Sequence, residues 1–490
     1  MNLTGLPLVS LVTFFPLIGM LILLFTPKER EEAIKRVALV FSTLTFVLSL
    51  GLLFGGFDIQ RAGFQFEENV PWIPAWGINY HVGIDGISIL LVLLTTLLMP
   101  VAILSSWTAI HDRLREYMIF MLLLETAMVG VFVSLDLFLF YVFWEFSLVP
   151  MYFLIGIWGG PRRVYAAIKF FLYTMTGSIL MLLAILWLGS NGGTFDLVRL
   201  VENNAWLAGA PEMLLFIAFA AAFAIKVPLW PLHSWLPDAH VEAPTAGSVI
   251  LAGVLLKLGT YGFLRFNLAL FPDASRQAAP FIAVLAIIGI LYGAIVSFAQ
   301  SDVKKLVAYS SVSHLGFVML GIFSLTPQGI QGAILQMINH GLSTGALFLI
   351  VGFIYERKHT RELSAFGGLW KIMPIYGTIA LVVALSSMGL PGLNGFVGEF
   401  TILLGSTSSN ALGSPGLFTA LAALGIILAA IYILWMFQRM FMGDASEENK
   451  KLLDLNAREV WVMAPLVIFI FVIGLVPGPF FNLMSSSVGK

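Results

Sequence analysis

The most constraining feature of this sequence is a repeat of length. Apolar stretches of about 20 residues follow one another along the whole chain, and that is the length at which a helix crosses the ~30 Å hydrocarbon core of a bilayer. Within lipid every backbone amide needs a partner in its own segment, so the repeated element must be an α-helix. Fourteen spans are predicted, near 4–25, 37–56, 85–109, 117–135, 137–158, 164–189, 212–227, 244–266, 279–300, 305–325, 328–355, 374–407, 416–441 and 459–480. The fold class expected is all-α and polytopic. The residue balance agrees: 59% of the 490 residues are hydrophobic and 11% are charged, where soluble domains run near a quarter charged. The opening apolar segment, Leu3 to Phe25, has no charged region before it and reads as a retained first helix. The longest loops, at 58–84 and 190–211, are expected to be short and polar.

Several classes fall away at once. A net charge of −1 offers no basic footprint for nucleic acid. With no cysteine, the chain can supply neither disulfides, nor thiolate ligands for iron–sulfur clusters, nor a thiol nucleophile. No phosphate loop, nucleotide fingerprint or metal-ligand spacing is present.

Loop charge orients the spans. If the first connection is cytoplasmic, eighteen Lys and Arg residues lie on that side, among them Lys28, Arg113, Arg162, Lys305, Arg361 and Arg458. Five lie on the other: Arg61, Arg199, Arg265, Arg276 and Lys490. By the positive-inside rule both termini face the periplasm of a bacterial inner membrane. Three basic residues remain, Lys169, Lys226 and Lys257, and each falls inside a span. Glu145 and Glu399 lie within apolar runs, as does Glu125, with His314 and His340; Asp136 stands at a span edge. Ionisable groups at that depth are costly and default to a functional reading. Snorkelling competes for Lys169, six residues past Arg163 in the Arg162-Arg163 loop, and a structural role competes for Asp136 and Glu125. Lys226, Lys257, Glu145 and Glu399 sit too deep for the bland reading to lead.

Two spans are broken. Pro228, after Lys226, removes a backbone donor, and Trp230, Pro231, Trp235 and Pro237 prolong the irregularity. The run Leu390-Pro-Gly-Leu-Asn-Gly-Phe-Val-Gly-Glu399 breaks the twelfth span before its carboxylate. Freed carbonyls at membrane depth need protein or water, and paired breaks mark ion pathways. The breaks lie five spans apart, which predicts two five-helix units, spans 4–8 (117–266) and 9–13 (279–441). An odd unit length inverts the second copy. Residues 1–116 would precede the units and 442–490 would add the last helix. Lys257 stands in Gly253-Val-Leu-Leu-Lys-Leu-Gly-Thr-Tyr-Gly262, where glycines admit close neighbours. His314 and His340 occupy adjacent spans flanked by small hydroxyl residues, which suits a hydrogen-bonded relay better than a haem face. His233 and His240 follow the first break; for all four, relay and packing are both open readings.

Several long motifs then agree in order and spacing. Trp144-Glu145-Phe-Ser-Leu-Val-Pro150, Gly159-Gly-Pro-Arg-Arg-Val-Tyr-Ala-Ala-Ile-Lys-Phe170, His240-Val-Glu-Ala-Pro-Thr245, Ser301-Asp-Val-Lys-Lys-Leu-Val-Ala-Tyr-Ser-Ser311 and the Leu390–Glu399 break together resemble the antiporter-like subunits of respiratory complex I. The resemblance covers nearly the whole chain. It implies a translocase subunit of NADH:quinone oxidoreductase that moves protons from cytoplasm to periplasm, driven by quinone reduction elsewhere. Glu145 and Lys226 would pair, Lys257 would be the central relay, Glu399 the outlet, and His314 and His340 match histidines of the family. FMN, iron–sulfur clusters and quinone would be held by other subunits. The neighbours in the membrane arm would be the antiporter-like subunits L and N. A sodium/proton antiporter subunit and the membrane subunit of a related hydrogenase share this core and stay open on sequence alone.

Overall fold

The computed structural model describes residues 5–488. The expected start of the first span at Thr4 and the terminal Lys490 lie outside them. Twelve helices are long and apolar enough to cross a membrane: Leu8–Phe25, Glu31–Phe54, Ser88–Ser105, Leu114–Val133, Leu137–Trp158, Arg163–Gly192, Thr245–Leu270, Pro272–Phe298, Val303–Phe323, Pro327–Lys358, Pro415–Phe441 and Ala457–Leu475. Each matches a predicted span. The seventh and twelfth positions are each filled by a pair of shorter helices, Glu212–Lys226 with Trp235–Glu242, and Pro374–Ser387 with Asn394–Thr407. Both interruptions fall where the prolines and glycines place them.

Burial does not follow hydropathy alone. The helices Thr245–Leu270 and Pro327–Lys358 are enclosed by protein through their membrane-spanning turns, whereas Glu31–Phe54 and Arg163–Gly192 turn rows of large apolar side chains outward. The enclosed helices carry Lys257 and His340. A lipid-facing helix can be apolar all round, but one surrounded by neighbours can hold polar side chains if they find partners there.

One local device recurs. Asp136 caps the fifth span, its carboxylate accepting from Phe138 N and Leu139 N, and Leu135 and Leu137 exchange backbone bonds of 2.8 Å with Leu197 and Phe195. Asp302 caps the tenth span in the same way, and Ser301 and Val303 bond to Leu363 and Arg361. The spacing within each pair is the same, and the two lie five spans apart, hence at opposite ends of the bundle.

The connection after the second span departs from expectation. It is not a polar loop but an antiparallel hairpin, β1 (Gln65–Ile73) and β2 (Ile78–Ile84), turned at Gly77 with positive φ. The 190–211 connection likewise contains two short helices, Leu197–Glu202 and Asn204–Leu207. The last span ends early, at Leu475 before Pro477, and the chain adds a helix Gly478–Val488. Ser487 Oγ from that helix accepts from Gly86 N at 2.9 Å, closing the chain end onto the hairpin.

Candidate proton-translocation site

Lys257 is fully buried, and the helix around it is distorted for a reason visible in the backbone. Two π-helical turns, Leu251–Leu255 and Phe263–Asn267, flank it. A π turn widens the helix and loosens the backbone ladder. The Ala252 carbonyl in the first such turn accepts from Lys257 Nζ. The same ammonium donates to His340 Nδ1 at 2.6 Å. Gly259 and Gly262 let the broken seventh span come in closely. A Cβ on Gly259 would stand 2.8 Å from the Phe223 carbonyl oxygen, and one on Gly262 would enter the Phe223 ring.

The row continues from His340. Its ring centroid lies 6.0 Å from that of His314, and its Nε2 is buried without a partner. His314 Nδ1 is 2.7 Å from Glu399 Oε1, and its Nε2 is 3.3 Å from the Tyr432 hydroxyl. Gln336 Nε2 donates to the same Glu399 oxygen at 3.1 Å. The other carboxylate oxygen has no partner and faces Gly389, a residue of the second break with φ of +80°. Lys257, His340, His314 and Glu399 therefore form one enclosed polar row through three helices and a broken fourth. Within the row His340 stands between Lys257 and His314.

The first break is arranged differently. Lys226 is buried at the end of its helix, but the expected contact with Glu145 is absent. The ammonium sits over two aromatic rings, 5.4 Å from Trp144 and 5.5 Å from Phe170. A desolvated cation on ring faces is held by their quadrupoles. Glu145, half-buried, leaves Oε1 without a partner. Between them Trp144 Nε1 donates to Ser178 Oγ at 3.0 Å. The carbonyl of Ile225, freed by the break, accepts from Trp235 Nε1 at 2.8 Å, so protein satisfies it.

The remaining candidates separate clearly. Lys169 donates to Asp238 at 2.7 Å and to the Ser234 carbonyl at 3.0 Å, pinning the sixth span to the second half of the seventh. Asp136 is occupied as a helix cap and accepts from Asn79 N as well. His240 is buried with both nitrogens unpartnered and its ring stacked 4.5 Å from Phe348. His233 packs edge-on to Tyr292 at 5.1 Å. Glu125 is enclosed, and neither oxygen has a partner.

Sequence reading missed the amide and hydroxyl groups around the second break. Asn339 Nδ2 donates to the Asn394 carbonyl at 2.7 Å, and Ser343 and Ser386 lie 2.6 Å apart beside Asn394. It missed the buried pair Arg265–Asp85 at 2.7 Å, and Lys304, whose ammonium donates to the Ala243 carbonyl at 2.6 Å. A search for charges alone passes over neutral amides, which was the available signal for the first group. Among the described residues no cluster suited to a metal ion is found.

A polytopic helical bundle with two broken helices and a buried row of lysine, histidine and glutamate defines the class of antiporter-like membrane channels. More narrowly, residues 134–425 match the model of the family described as NADH:quinone oxidoreductase/Mrp antiporter, transmembrane, and the chain belongs to that family. It is 48% identical to NADH-quinone oxidoreductase subunit M of Rhodobacter capsulatus, over 98% of this chain and 95% of that one. It is 46% identical to NADH-ubiquinone oxidoreductase chain 4 of Marchantia polymorpha, over 100% and 96%. Among solved structures, a chain of respiratory complex I from Thermus thermophilus with bound NADH superposes with a TM-score of 0.88 at 33% identity, covering 98% of this chain and 99% of that chain.

Proposed function

We propose that this chain carries protons across the membrane along Lys226, Lys257, His340, His314 and Glu399, from the cytoplasmic to the periplasmic side, with Glu145 setting the proton affinity of Lys226. The chain is a membrane-arm subunit of a proton-translocating NADH:quinone oxidoreductase, and it works within that complex rather than alone. The observation that carries the reading is the enclosed row from Lys257 to Glu399. Lysine, imidazole and carboxylate can each bind and release a proton, and they stand within hydrogen-bond reach except at one step. That step, between the two imidazoles, needs one mobile water or a rotation of the His340 ring. Such a set titrates together, so moving one charge changes the proton affinity of the next.

Direction comes from the two breaks. Glu399 Oε2 turns toward the second break, whose loosened backbone is the outlet. Lys226, poised on aromatic faces, takes its proton from a route separate from Glu145 and responds to that carboxylate through space. Glu145 faces the bundle surface, where charge on the neighbouring subunits L and N reaches it. His240 and Glu125 are side branches to the row, and His233 lines the first break. Fourteen crossings, built as two inverted units between 117–266 and 279–441, place both termini on the periplasmic side. FMN, the iron–sulfur clusters and the quinone belong to partner subunits.

The test is His340→Ala, assayed in inverted membrane vesicles energised with NADH. The expected result is an assembled complex with lost acidification and slowed quinone reduction. Wild-type acidification in that variant removes the row from the mechanism.

A further inference from the structure

The side of the bundle that carries the hairpin holds a second arrangement of titratable groups, remote from the row above in sequence and in elements. His81 on β2 is 4% exposed. Its Nδ1 lies 2.7 Å from Asp196 Oδ2, at the head of the helix Leu197–Glu202, and its Nε2 lies 3.3 Å from Glu67 Oε2 on β1. A neutral imidazole has one N–H and one lone pair, and an ionised carboxylate accepts only. An imidazole with a carboxylate oxygen at each nitrogen is therefore satisfied at both only when one further proton is present.

We propose that Asp196, His81 and Glu67 form a proton-operated clamp that fastens strand β1 to the start of the fifth span and to the loop after the sixth. The surroundings favour the held proton. Asp136, capping the fifth span, adds a third carboxylate beside Asp196. The cations facing the group are Arg61, 3.9 Å from Glu67, and Arg199 on the helix that Asp196 caps. Burial alone works against an imidazolium here, but the hydrogen bond and charge of Asp196, with those of Glu67, outweigh it and raise the His81 proton affinity above the ordinary 6.5. On Asp196, burial is likewise outweighed, by the His81 bond and by the Arg199 amide and charge, which lower its value.

The two bridges are not equivalent. Asp196 is buried and held by the Arg199 amide, whereas Glu67 is exposed at the hairpin edge. When His81 loses its proton, Asp196 keeps the remaining N–H, and Glu67 turns to water. Strand β2 stays in place, because Leu135 N donates to the His81 carbonyl at 2.8 Å and Asn79 N donates to Asp136. Strand β1 loses its side-chain fastening on this side and keeps only the one at Glu68, whose carboxylate accepts from Ser10 of the first helix. A group with a raised folded-state value contributes stability that is complete below 6.5 and is lost as pH climbs through the raised value.

Hydrogen–deuterium exchange of residues 65–84 in the intact detergent-solubilised complex tests this, with labelling times scaled for the intrinsic rate. Protection of β1 should fall about tenfold from about pH 6 to about pH 9, the size of one charge-assisted hydrogen bond. Glu67→Gln should stay protected with no pH slope, because its amide can donate to the lone pair of a neutral imidazole while the other N–H serves Asp196. His81→Gln should be poorly protected at every pH. A flat wild-type profile overturns the clamp, as does a wild-type slope in Glu67→Gln, or wild-type protection at low pH in His81→Gln.

Discussion

The two broken helices meet the same physical problem with different answers. At the second break the ionisable group, Glu399, is buried and fixed by His314 and Gln336. At the first, Lys226 and Glu145 share no direct bond, and the ammonium lies over the rings of Trp144 and Phe170. A preformed hydrogen bond moves a proton with little rearrangement but commits the pair to a narrow geometry. A cation on ring faces, with a nearby carboxylate that leaves one oxygen unpartnered, is easily shifted by outside charge. On the proposed pathway the first break is the half that outside charge shifts and the second is the half that conducts.

Breaking the conducting half should have the larger effects. Lys257→Ala removes the central donor and strands His340 Nδ1 in a sealed interior; NADH-driven acidification should fall at least about a hundredfold, the lower range for loss of a proton-transfer group. Assembly on native gels should persist. An assembled variant that acidifies normally contradicts the assignment. Glu399→Gln preserves shape and the bond from Gln336 but cannot release a proton, and coupled turnover should drop by about tenfold. Glu399→Lys should recover part of that loss, since an amine can bind and release a proton at the same place; equal activity of the Gln and Lys variants argues against an outlet role.

The influenced half is sharpened by a double-substitution cycle. Glu145→Gln and Lys226→Ala, alone and together, should couple in turnover by less than about 1 kcal/mol, because the groups do not touch. His314→Ala with Glu399→Gln should couple by roughly 1.5–3 kcal/mol, as a bond to a charged group does. Equal coupling in the two cycles removes the contrast. The smallest effect is expected from Asp238→Asn, which weakens a partly exposed pair with Lys169; a loss of about 0.5–1 kcal/mol in thermal stability with unchanged acidification is expected. A pumping defect there would return Lys169 to the pathway.

How far these features can be read without coordinates depends on whether the chemistry is written locally. The spans follow from bilayer thickness, and Pro228 and Pro391-Gly392 mark the breaks within the residues themselves. Lys257, Glu399 and the two histidines stand out because charge inside an apolar run is locally anomalous. Their partnership is not local: Lys257 and His340 meet from separate helices, and no spacing rule joins them. The hairpin escaped because β1 has no alternating burial; Val70 and Trp72 both lie exposed. That Glu145 and Lys226 share no direct bond was not legible either, because depth can be read along each helix while the facing directions around it cannot.

The π-helical turns beside Lys257 carry a further consequence, one of phase. Each holds a residue more than a regular turn would, and successive residues of an α-helix advance by about 100° around its axis. The azimuth of Lys257 is thus set by a surplus residue in 251–255 and that of the segment beyond by another in 263–267. Deleting a single residue from the first surplus, leaving composition and hydropathy nearly untouched, would swing the lysine away from His340 by more than a quarter turn. The helix would still span the membrane, with its ammonium aimed at a different neighbour.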